Sequence, residues 1–455
     1  MFKKLYFPKV LLLVGDIVII TISFFLAFYC RFGRFENIFQ SNRLLSLIFI
    51  VGIVISSFYI FDQYNVRKRF ISLEQATLFL VSLLTIGLLM SIGFYFVPFI
   101  VGRGIFFFTL ILLAILSFIW RAFFPLLFGI IIHPRKVLLV GEGKEIDLLA
   151  GNPREFSEYN INIIGWVNNL KTKNTKKYSL KFLGDIGEIE NIIKEYEIDD
   201  VVIINESIMP LISWKLINLR MSGLKVHSFP NFFESITRKL PINYIEDQWV
   251  IYSQGFDNIG NRIYRRIKRG SDIGLSLLFL IGSIPLTLII GLLIKLTSKG
   301  PVFYTQERLG QNKNPFRIIK FRTMVIDAEK EKPQWAEEND TRVTKIGKIL
   351  RKTRLDELPQ LVNILKGEMS FIGPRPEREY FIKELEKKIP YFSLRFAVKP
   401  GLTGWAQVNY RYGASLEDAL EKFSYDLYYI KNMSLFLDLR IILRTIRICL
   451  FGMGR

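Results

Sequence analysis

The adjacent residues Asp356 and Glu357 are the strongest candidates for chemistry in this chain. Pro359 fits the first turn of a helix, where its missing N–H costs little, so Asp356 is predicted at the N-cap or first position of that helix. The positive end of the helix dipole would keep its carboxylate ionised there, and an ionised carboxylate can attack phosphorus. Glu357 would point about 100° further round the helix, free to hold Mg²⁺. Taken alone, such a pair before a proline is an ordinary helix cap.

Basic residues on other short segments accompany the acid pair. Prolines on both sides of Arg375 would hold its backbone, so that little conformational entropy is lost when it binds a ligand. Arginine forks match phosphate oxygens bidentately. The alternative for any one of these cations is a surface salt bridge, but the whole set favours phosphate binding. The candidate substrate-binding residues are Lys320, Arg322, Arg351 and Arg375.

The composition of the 455 residues limits the possible functions. Half of them are hydrophobic, and the formal net charge is +20. The apolar content is typical of a membrane protein, and the basic excess suits phosphate groups or an anionic membrane surface. With two histidines and two cysteines in all, neither a disulfide framework nor a zinc site is expected. Nucleic-acid binding is indicated by charge alone and is not expected.

Residues 1–133 are predicted to form a transmembrane domain of four helices. Their apolar segments approach or exceed the ~20 residues needed to cross the hydrocarbon core of a bilayer. Basic residues precede the first segment and follow the fourth, which favours a cytoplasmic location for both ends of the bundle. The segments are 10–30, 44–61, 76–101 and 105–132.

Residues 134–255 are predicted to form a Rossmann-like α/β domain. Apolar strand candidates at 136–140, 161–167, 201–204 and 224–229 alternate in part with helical segments, which indicates a parallel sheet. A Gly-x-Gly sequence, Gly141 to Gly143, follows the first strand as in dinucleotide-binding folds. Ile146 stands at the third glycine position, so the motif is incomplete and no cofactor is assigned to it.

Residues 256–455 are predicted to form an α-rich catalytic domain with a re-entrant membrane helix at 270–298. Pro285 lies near the middle of the apolar run 273–294 and should kink it, and both flanks are basic. A hairpin that enters and leaves on one membrane face is the favoured reading, and a kinked fifth spanning helix is the alternative. Near the chain end, three arginines share one face of an apolar stretch, which suits either a membrane surface or packing on its own domain: Arg440, Arg444 and Arg447.

Several motifs follow one another in a fixed order between residues 266 and 444. After the proline-broken apolar run come Gln-Glu-Arg-Leu-Gly (306–310), Lys-Phe-Arg-Thr-Met (320–324), Leu-Asp-Glu-Leu-Pro-Gln (355–360), Gly-Glu-Met-Ser (367–370), Gly-Pro-Arg-Pro (373–376) and Lys-Pro-Gly-Leu-Thr-Gly-Trp-Ala-Gln (399–407). This order closely resembles the bacterial polyprenyl-phosphate hexose-1-phosphate transferases, the monotopic phosphoglycosyl transferases. The two preceding domains look like the large form of that family, although they carry little motif information.

The resemblance implies a role for each candidate residue. The Asp of the pair is the covalent nucleophile in that family, a role that falls on Asp356, and the Glu helps to bind Mg²⁺, which falls on Glu357. Lys320, Arg351 and Arg375 are implied near the phosphates.

The resemblance also implies a reaction and a location. A hexose 1-phosphate would pass from a UDP-sugar to undecaprenyl phosphate with release of UMP, the first membrane step of exopolysaccharide, O-antigen lipopolysaccharide or capsule synthesis. The catalytic domain would face the cytoplasm from the bacterial inner membrane, among membrane lipids, and a homodimer is compatible with this arrangement. The alternatives are a glycosyltransferase that moves the sugar alone and releases UDP, and a non-catalytic membrane protein of a polysaccharide assembly complex.

Overall fold

Long apolar helices, a parallel sheet and a second α/β unit make up the chain in a computed structural model. The structure describes residues 2–33, 41–61, 63–64, 73–96, 103–131, 134–151, 161–169, 178–205, 208–325, 342–410, 413 and 415–450. The chain divides into two units, Met1–Ile236 and Thr237–Arg455. The first unit contains the N-terminal helices and the sheet, and the second contains the acid pair.

Four apolar helices begin the first unit and confirm the helical N-terminal region. They are α1 (Phe2–Phe32), α2 (Ser41–Ile60), α3 (Leu73–Phe96) and α4 (Arg103–Ile131). Three of them contain stretches long and apolar enough to cross a membrane, whereas the apolar part of α2, Leu44–Ile60, is shorter. The predicted segment ends at Val101 and Ile132 lie outside the described residues.

One ion pair is buried inside this bundle. Arg121 of α4 donates from its two terminal nitrogens to the two carboxylate oxygens of Asp16 of α1, at 2.8 and 2.7 Å. The guanidinium also lies 4.2 Å from the ring centroid of Phe58. Because each acid or base would be costly alone among apolar side chains, the two charges that interrupt these segments neutralise each other.

A five-stranded parallel sheet follows in the order β3-β2-β1-β4-β5 and confirms the mixed α/β domain. The strands are β1 (Arg135–Val140), β2 (Ile161–Asn168), β3 (Phe182–Asp185), β4 (Asp200–Ile203) and β5 (Lys225–Ser228). Its helices are α5 (Lys144–Ala150), α6 (Ile189–Tyr196), α7 (Met209–Met221) and α8 (Phe229–Thr237). The edge strand β3 was not predicted, because its four half-buried residues make too short a pattern to recognise.

The glycines after β1 have a local role in this sheet. Gly141 has a φ of +109°, which favours glycine, and the N–H of Gly143 donates to the hydroxyl of Tyr178 at 3.0 Å. Ile146, at the third position of the incomplete motif, is fully buried in the core.

A helix of 36 residues, α11 (Arg262–Thr297), dominates the second unit. The short helices α9 (Asp247–Tyr252) and α10 (Asp257–Gly260) precede it. The Asn261 side chain caps its first turn by accepting from the N–H groups of Ile263 and Tyr264. The break expected near Pro285 is not a break between two helices, because one helix runs through the proline. A proline can be kept inside a helix at the loss of one backbone bond.

The remaining elements of the second unit surround the acid pair. Two strands form an antiparallel hairpin, β6 (Phe303–Leu309) and β7 (Pro315–Phe321), and two pair in parallel, β8 (Ser370–Ile372) and β9 (Gly401–Thr403). The helices are α12 (Lys345–Thr353), α13 (Gln360–Lys366), α14 (Glu379–Lys388), α15 (Trp405–Asn409), α16 (Leu416–Lys431) and α17 (Leu435–Leu450). Apolar side chains of α13 pack against β7, and Asn363 joins the two elements by accepting from the N–H of Ile319 at 3.1 Å and donating to the carbonyl of Arg317 at 2.7 Å.

Candidate active site

The acid pair lies in a short 3₁₀ turn, Leu355–Glu357, between α12 and α13. This differs from the predicted helix N-cap, because Pro359 itself caps α13 and the acids fall in the preceding turn. Arg354, with a left-handed φ of +59°, ends α12 and turns the chain into this segment. Both carboxyl groups are buried, with residue exposures of 9% for Asp356 and 6% for Glu357.

Three cations hold the Glu357 carboxylate. Its Oε1 accepts from Arg375 Nη2 at 2.6 Å and from Lys320 Nζ at 3.2 Å, while Arg354 Nη1 lies 3.8 Å from Oε2. Burial raises the pKa of Glu357, but the three cations outweigh it and hold the pKa well below its usual range. Glu357 is therefore ionised at neutral pH.

Asp356 has the opposite electrostatic balance. Burial and the adjacent Glu357 charge raise the pKa of Asp356 to about 6, although Lys320, Arg375 and Arg351 act in the other direction. The sequence predicted that a helix N-terminus would keep the Asp356 carboxylate ionised, but burial, which disfavours the charged form, has the larger effect on its pKa. An acid with this pKa still loses its proton near neutral pH and becomes a poorly solvated carboxylate that can attack phosphorus.

Two of the predicted cations approach the acids from different elements. Lys320 comes from β7, and burial lowers its pKa while the Glu357 charge opposes that shift. Arg351 comes from the last turn of α12 and donates from Nε to Thr323 Oγ1 at 3.0 Å. The antiparallel hairpin and α12 thus bring positive charge to one place from residues that are distant in sequence.

Arg375 is held through its backbone as well as by its prolines. The Arg375 carbonyl accepts from Arg395 Nη2 at 3.0 Å, and Arg395 is in turn paired with the buried Asp426 at 3.1 Å. Arg308 of β6 approaches the same segment, donating to the Pro376 carbonyl at 3.4 Å. The position of this guanidinium therefore depends on β6, α16 and the segment after β8 together.

Arg322 is placed differently from the other three predicted cations. Its Nη2 donates to the carbonyl and the hydroxyl of Ser298, at 3.0 and 2.6 Å, at the C-terminal end of α11. Among the hydrogen bonds and ion pairs of the described residues, none joins Arg322 to Asp356 or Glu357. It lies in the same motif as Lys320 but faces another part of the unit.

The structure brings to this region three residues outside the predicted set of site residues. Arg354 pairs with Glu357, Arg308 supports the Arg375 segment, and the buried side-chain amide nitrogen of Gln360 has no hydrogen-bond partner in the described part of the chain. Arg354 and Gln360 are close to the acids in the sequence, so their nearness to the site could be inferred from the sequence alone. The position of Arg308 depends on the pairing of β6 with β7.

The acid pair fits a metal ion that shares its ligands with substrate. Within the described part of the chain there is no group of three or more His, Cys, Asp or Glu side chains that could hold a metal ion. Mg²⁺ is commonly held by one or two carboxylates together with substrate phosphates. The ionised Glu357 carboxylate lies beside cations that would attract phosphate, and it could hold such an ion together with the phosphates.

Comparison with known proteins assigns this unit to a family. The model of the family described as bacterial sugar transferase matches residues 263–452, a stretch that includes the acid pair and all the cations above. A UDP-N-acetylgalactosamine-undecaprenyl-phosphate N-acetylgalactosaminephosphotransferase of Aeromonas hydrophila is 41% identical over 234 residues, which are 51% of this chain and 54% of that protein. A UDP-glucose:undecaprenyl-phosphate glucose-1-phosphate transferase of Klebsiella pneumoniae is 44% identical over 193 residues, 42% of each chain.

A shorter relative is matched over most of its length. An uncharacterised sugar transferase of Bacillus subtilis (strain 168) is 42% identical over 162 residues, which are 35% of this chain and 76% of that protein. The chain spans only about half the length of the Aeromonas and Klebsiella proteins. By its match to this shorter protein and to the family model, the chain belongs to the bacterial sugar transferase family.

Proposed function

We propose that this protein transfers a sugar 1-phosphate from a UDP-sugar to undecaprenyl phosphate through a covalent intermediate on Asp356. The observation that carries the proposal is the buried acid pair, in which one carboxyl group has a raised pKa and the other is held ionised by three cations. The names of the Aeromonas and Klebsiella relatives specify a UDP-sugar and undecaprenyl phosphate for those proteins.

In the first half-reaction the Asp356 carboxylate attacks the phosphorus attached to the sugar. The bond from that phosphorus to the bridging oxygen breaks, UMP leaves with the electron pair, and the sugar phosphate remains on Asp356. In the second half-reaction a phosphate oxygen of the lipid acceptor attacks the same phosphorus. The bond to Asp356 breaks, the carboxylate is regenerated, and a polyprenyl-diphospho-sugar is formed.

The cations have distinct tasks in this scheme. Lys320 and Arg375 both donate to the same oxygen of Glu357. A bound diphosphate could accept some of these hydrogen bonds, and its charge would then be buried beside cations and not left unpaired. Arg351, which acts on the Asp356 pKa, is close enough to neutralise charge that develops on the transferred phosphate. A Mg²⁺ held by the acid pair and the phosphates would add charge neutralisation during transfer.

Membrane attachment supports the proposal because the acceptor is a lipid. Exposed large apolar side chains cover much of α11, among them Leu278, Leu288, Leu292 and Leu296. Both ends of this helix pack on the same unit: Asp272 accepts from the backbone N–H of Phe371, and Ile290 and Ile294 pack with Phe321 and Leu350. A straight helix that crossed a bilayer would put its ends on opposite faces, so we infer that α11 bends at Pro285 and forms a re-entrant element on the cytoplasmic face of the inner membrane.

Identification of the released nucleotide and of the adduct tests this function. Membranes containing the protein, supplied with UDP-sugars and undecaprenyl phosphate, should release UMP and form a lipid diphosphate. A sugar-only transferase would release UDP instead, and a non-catalytic protein would consume no nucleotide-sugar. Intact-protein mass spectrometry without acceptor should find a sugar phosphate on Asp356.

The variant Asp356→Asn should lose turnover by roughly a thousandfold or more, since it removes the nucleophile but retains the shape of the side chain. Its circular dichroism should match that of the native protein. Normal turnover by this variant would exclude the covalent mechanism.

A further inference from the structure

Arg322 carries a buried charge that the described protein residues only partly satisfy. The residue is 7% exposed, and the two hydrogen bonds that its side chain makes to described residues both go from Nη2 to Ser298. The atoms Nε and Nη1 are buried and have no hydrogen-bond partner among the residues that the structure describes. Among the described residues, no carboxylate forms an ion pair with this guanidinium. A buried cation left in this condition is costly, and an anionic ligand that accepts from the unpaired N–H groups would remove the cost.

The location of Arg322 indicates which anion this is. Ser298 is the C-cap of α11, so Arg322 lies where the apolar helix meets the polar part of the unit. Leu292 and Leu296 in the last turns of that helix are 61% and 73% exposed, as expected of a surface that contacts lipid. A phosphate at the end of a lipid would therefore reach Arg322 while its hydrocarbon chain lies along α11.

Arg322 is connected to the catalytic groups through the next residue in the chain. The next residue, Thr323, accepts from Arg351, which acts on the pKa of Asp356. The cations that contact or surround the acid pair are Lys320, Arg351, Arg354 and Arg375, and these are available to the donor diphosphate. Arg322 thus contacts the end of α11, and the residue after it contacts a cation that acts on Asp356.

From these observations we propose that Arg322 binds the phosphate of the lipid acceptor and serves the second half-reaction. This inference rests on the function proposed above. Bound there, the phosphate monoester would be held as a dianion, and one of its oxygens would attack the phosphorus on Asp356 as the bond to the carboxylate breaks. No proton needs to be removed from the acceptor for this step.

Separate measurement of the two half-reactions tests the proposal with Arg322→Gln. In the variant, labelled UDP-sugar should still label Asp356 and release UMP when no acceptor is present. The KM for undecaprenyl phosphate should rise by about tenfold or more, because a charge-assisted hydrogen bond to phosphate is lost. Arg317→Gln, a change at an exposed arginine on the neighbouring strand β7, is the matched control and should leave this KM unchanged.

Three outcomes would overturn the assignment. One is an unchanged acceptor KM in Arg322→Gln, and another is slowed Asp356 labelling with an unchanged acceptor KM, which would place Arg322 at the donor. The third concerns ordinary phospholipid. If turnover in nanodiscs depends on anionic lipid for the native protein but not for the variant, and the acceptor KM is unchanged, the phosphate that Arg322 binds belongs to the bilayer.

Arg322→Lys covers the case in which the glutamine variant does not fold. Lysine keeps the charge but loses part of the donor set, so the acceptor KM should rise less than in Arg322→Gln and more than in the control. An acceptor KM for Arg322→Lys equal to that of the native protein would overturn the proposal. Absence of Asp356 labelling and UMP release in the native protein would instead contradict the proposed function itself.

Discussion

The pKa values of two adjacent carboxyl groups in this protein are shifted in opposite directions. The three cations around Glu357 hold its pKa low, whereas burial and the Glu357 charge raise the pKa of Asp356 to about 6. Pairs of acids whose environments separate their pKa values commonly have separate roles in catalysis. Here the separation leaves Glu357 as a permanent anion that orders the cations and makes Asp356 the group that can gain and lose a proton near neutral pH.

The rate of Asp356 labelling should depend on pH through this group. Below about pH 6 Asp356 is protonated and cannot attack, so the labelling rate should rise with pH and level off above about pH 7. Rapid-quench measurement of UMP release without acceptor gives this profile. The variant Glu357→Gln removes the charge that raises the Asp356 pKa, so the midpoint of any residual activity should move to lower pH. A midpoint that stays in place would show that Glu357 does not control the Asp356 pKa.

Gln360 follows Asp356 by four residues, and Leu358 and Pro359 between them have helical backbone angles. Its side chain should therefore lie near the face that carries Asp356. Its buried amide nitrogen has no hydrogen-bond partner within the described ranges, and a buried donor without a partner costs about 1–3 kcal/mol. We expect Gln360→Leu to keep or increase the thermal stability while turnover falls by about tenfold.

Asn363 provides the contrast for this prediction. It is one helical turn further along α13, and its amide is fully bonded to β7 and Glu368. Asn363→Leu should therefore lower the free energy of unfolding. If Gln360→Leu is equally destabilising and turnover per folded molecule is normal, Gln360 has a structural role.

At the scale of elements, short segments from distant parts of the chain build the site. The turn Leu355–Glu357 supplies the acids, β7 supplies Lys320, and the segment after β8 supplies Arg375. Arg395, which is paired with Asp426, holds the segment after β8 by donating to the backbone carbonyl of Arg375. Each cation is therefore positioned by packing outside its own motif.

The buried Asp16–Arg121 ion pair should likewise hold α1 and α4 together. Breaking it with Asp16→Ala leaves Arg121 buried without its partner, which should cost about 3–5 kcal/mol. The double variant Asp16→Leu with Arg121→Met should be more stable than either single change, because no unpaired charge remains. Thermal unfolding in detergent measures both effects, and equal losses in the single and double variants would contradict the argument.

At the scale of the molecule, the second unit carries its own apolar surface. Residues 237–455 form a separate unit, and the exposed face of α11 belongs to it. We expect this unit, produced without residues 1–236, to stay with membranes after a carbonate wash and to leave them in detergent. Lysine at Leu278, Leu288 and Leu292 should release it, since each charge in the bilayer costs about 2.5–3.5 kcal/mol. Recovery of the unsubstituted unit in the soluble fraction would refute this.

Local patterns in the sequence were sufficient for much of the architecture. Apolar length identified α1 to α4 and α11, and alternation of strands and helices identified the parallel sheet, because both signals repeat within a short window. The four-residue strand β3 was not predicted, and α11 runs as one helix through Pro285, where a helical hairpin was the favoured prediction and a kinked single helix the alternative. In both cases the result depends on neighbours that compensate for a weak or contrary local preference.

Which residues could carry chemistry was determined by the sequence alone, since the Asp356-Glu357 pair and its basic motifs are local arrangements of residue types. Only the tertiary structure decided how these residues behave. The raised pKa of Asp356, the grouping of three cations on Glu357 and the position of Arg322 at the end of α11 all depend on burial and on distances between remote segments. Electrostatic energy is set by separation in space and by exclusion of water, and neither quantity is written in the spacing of residues along a chain.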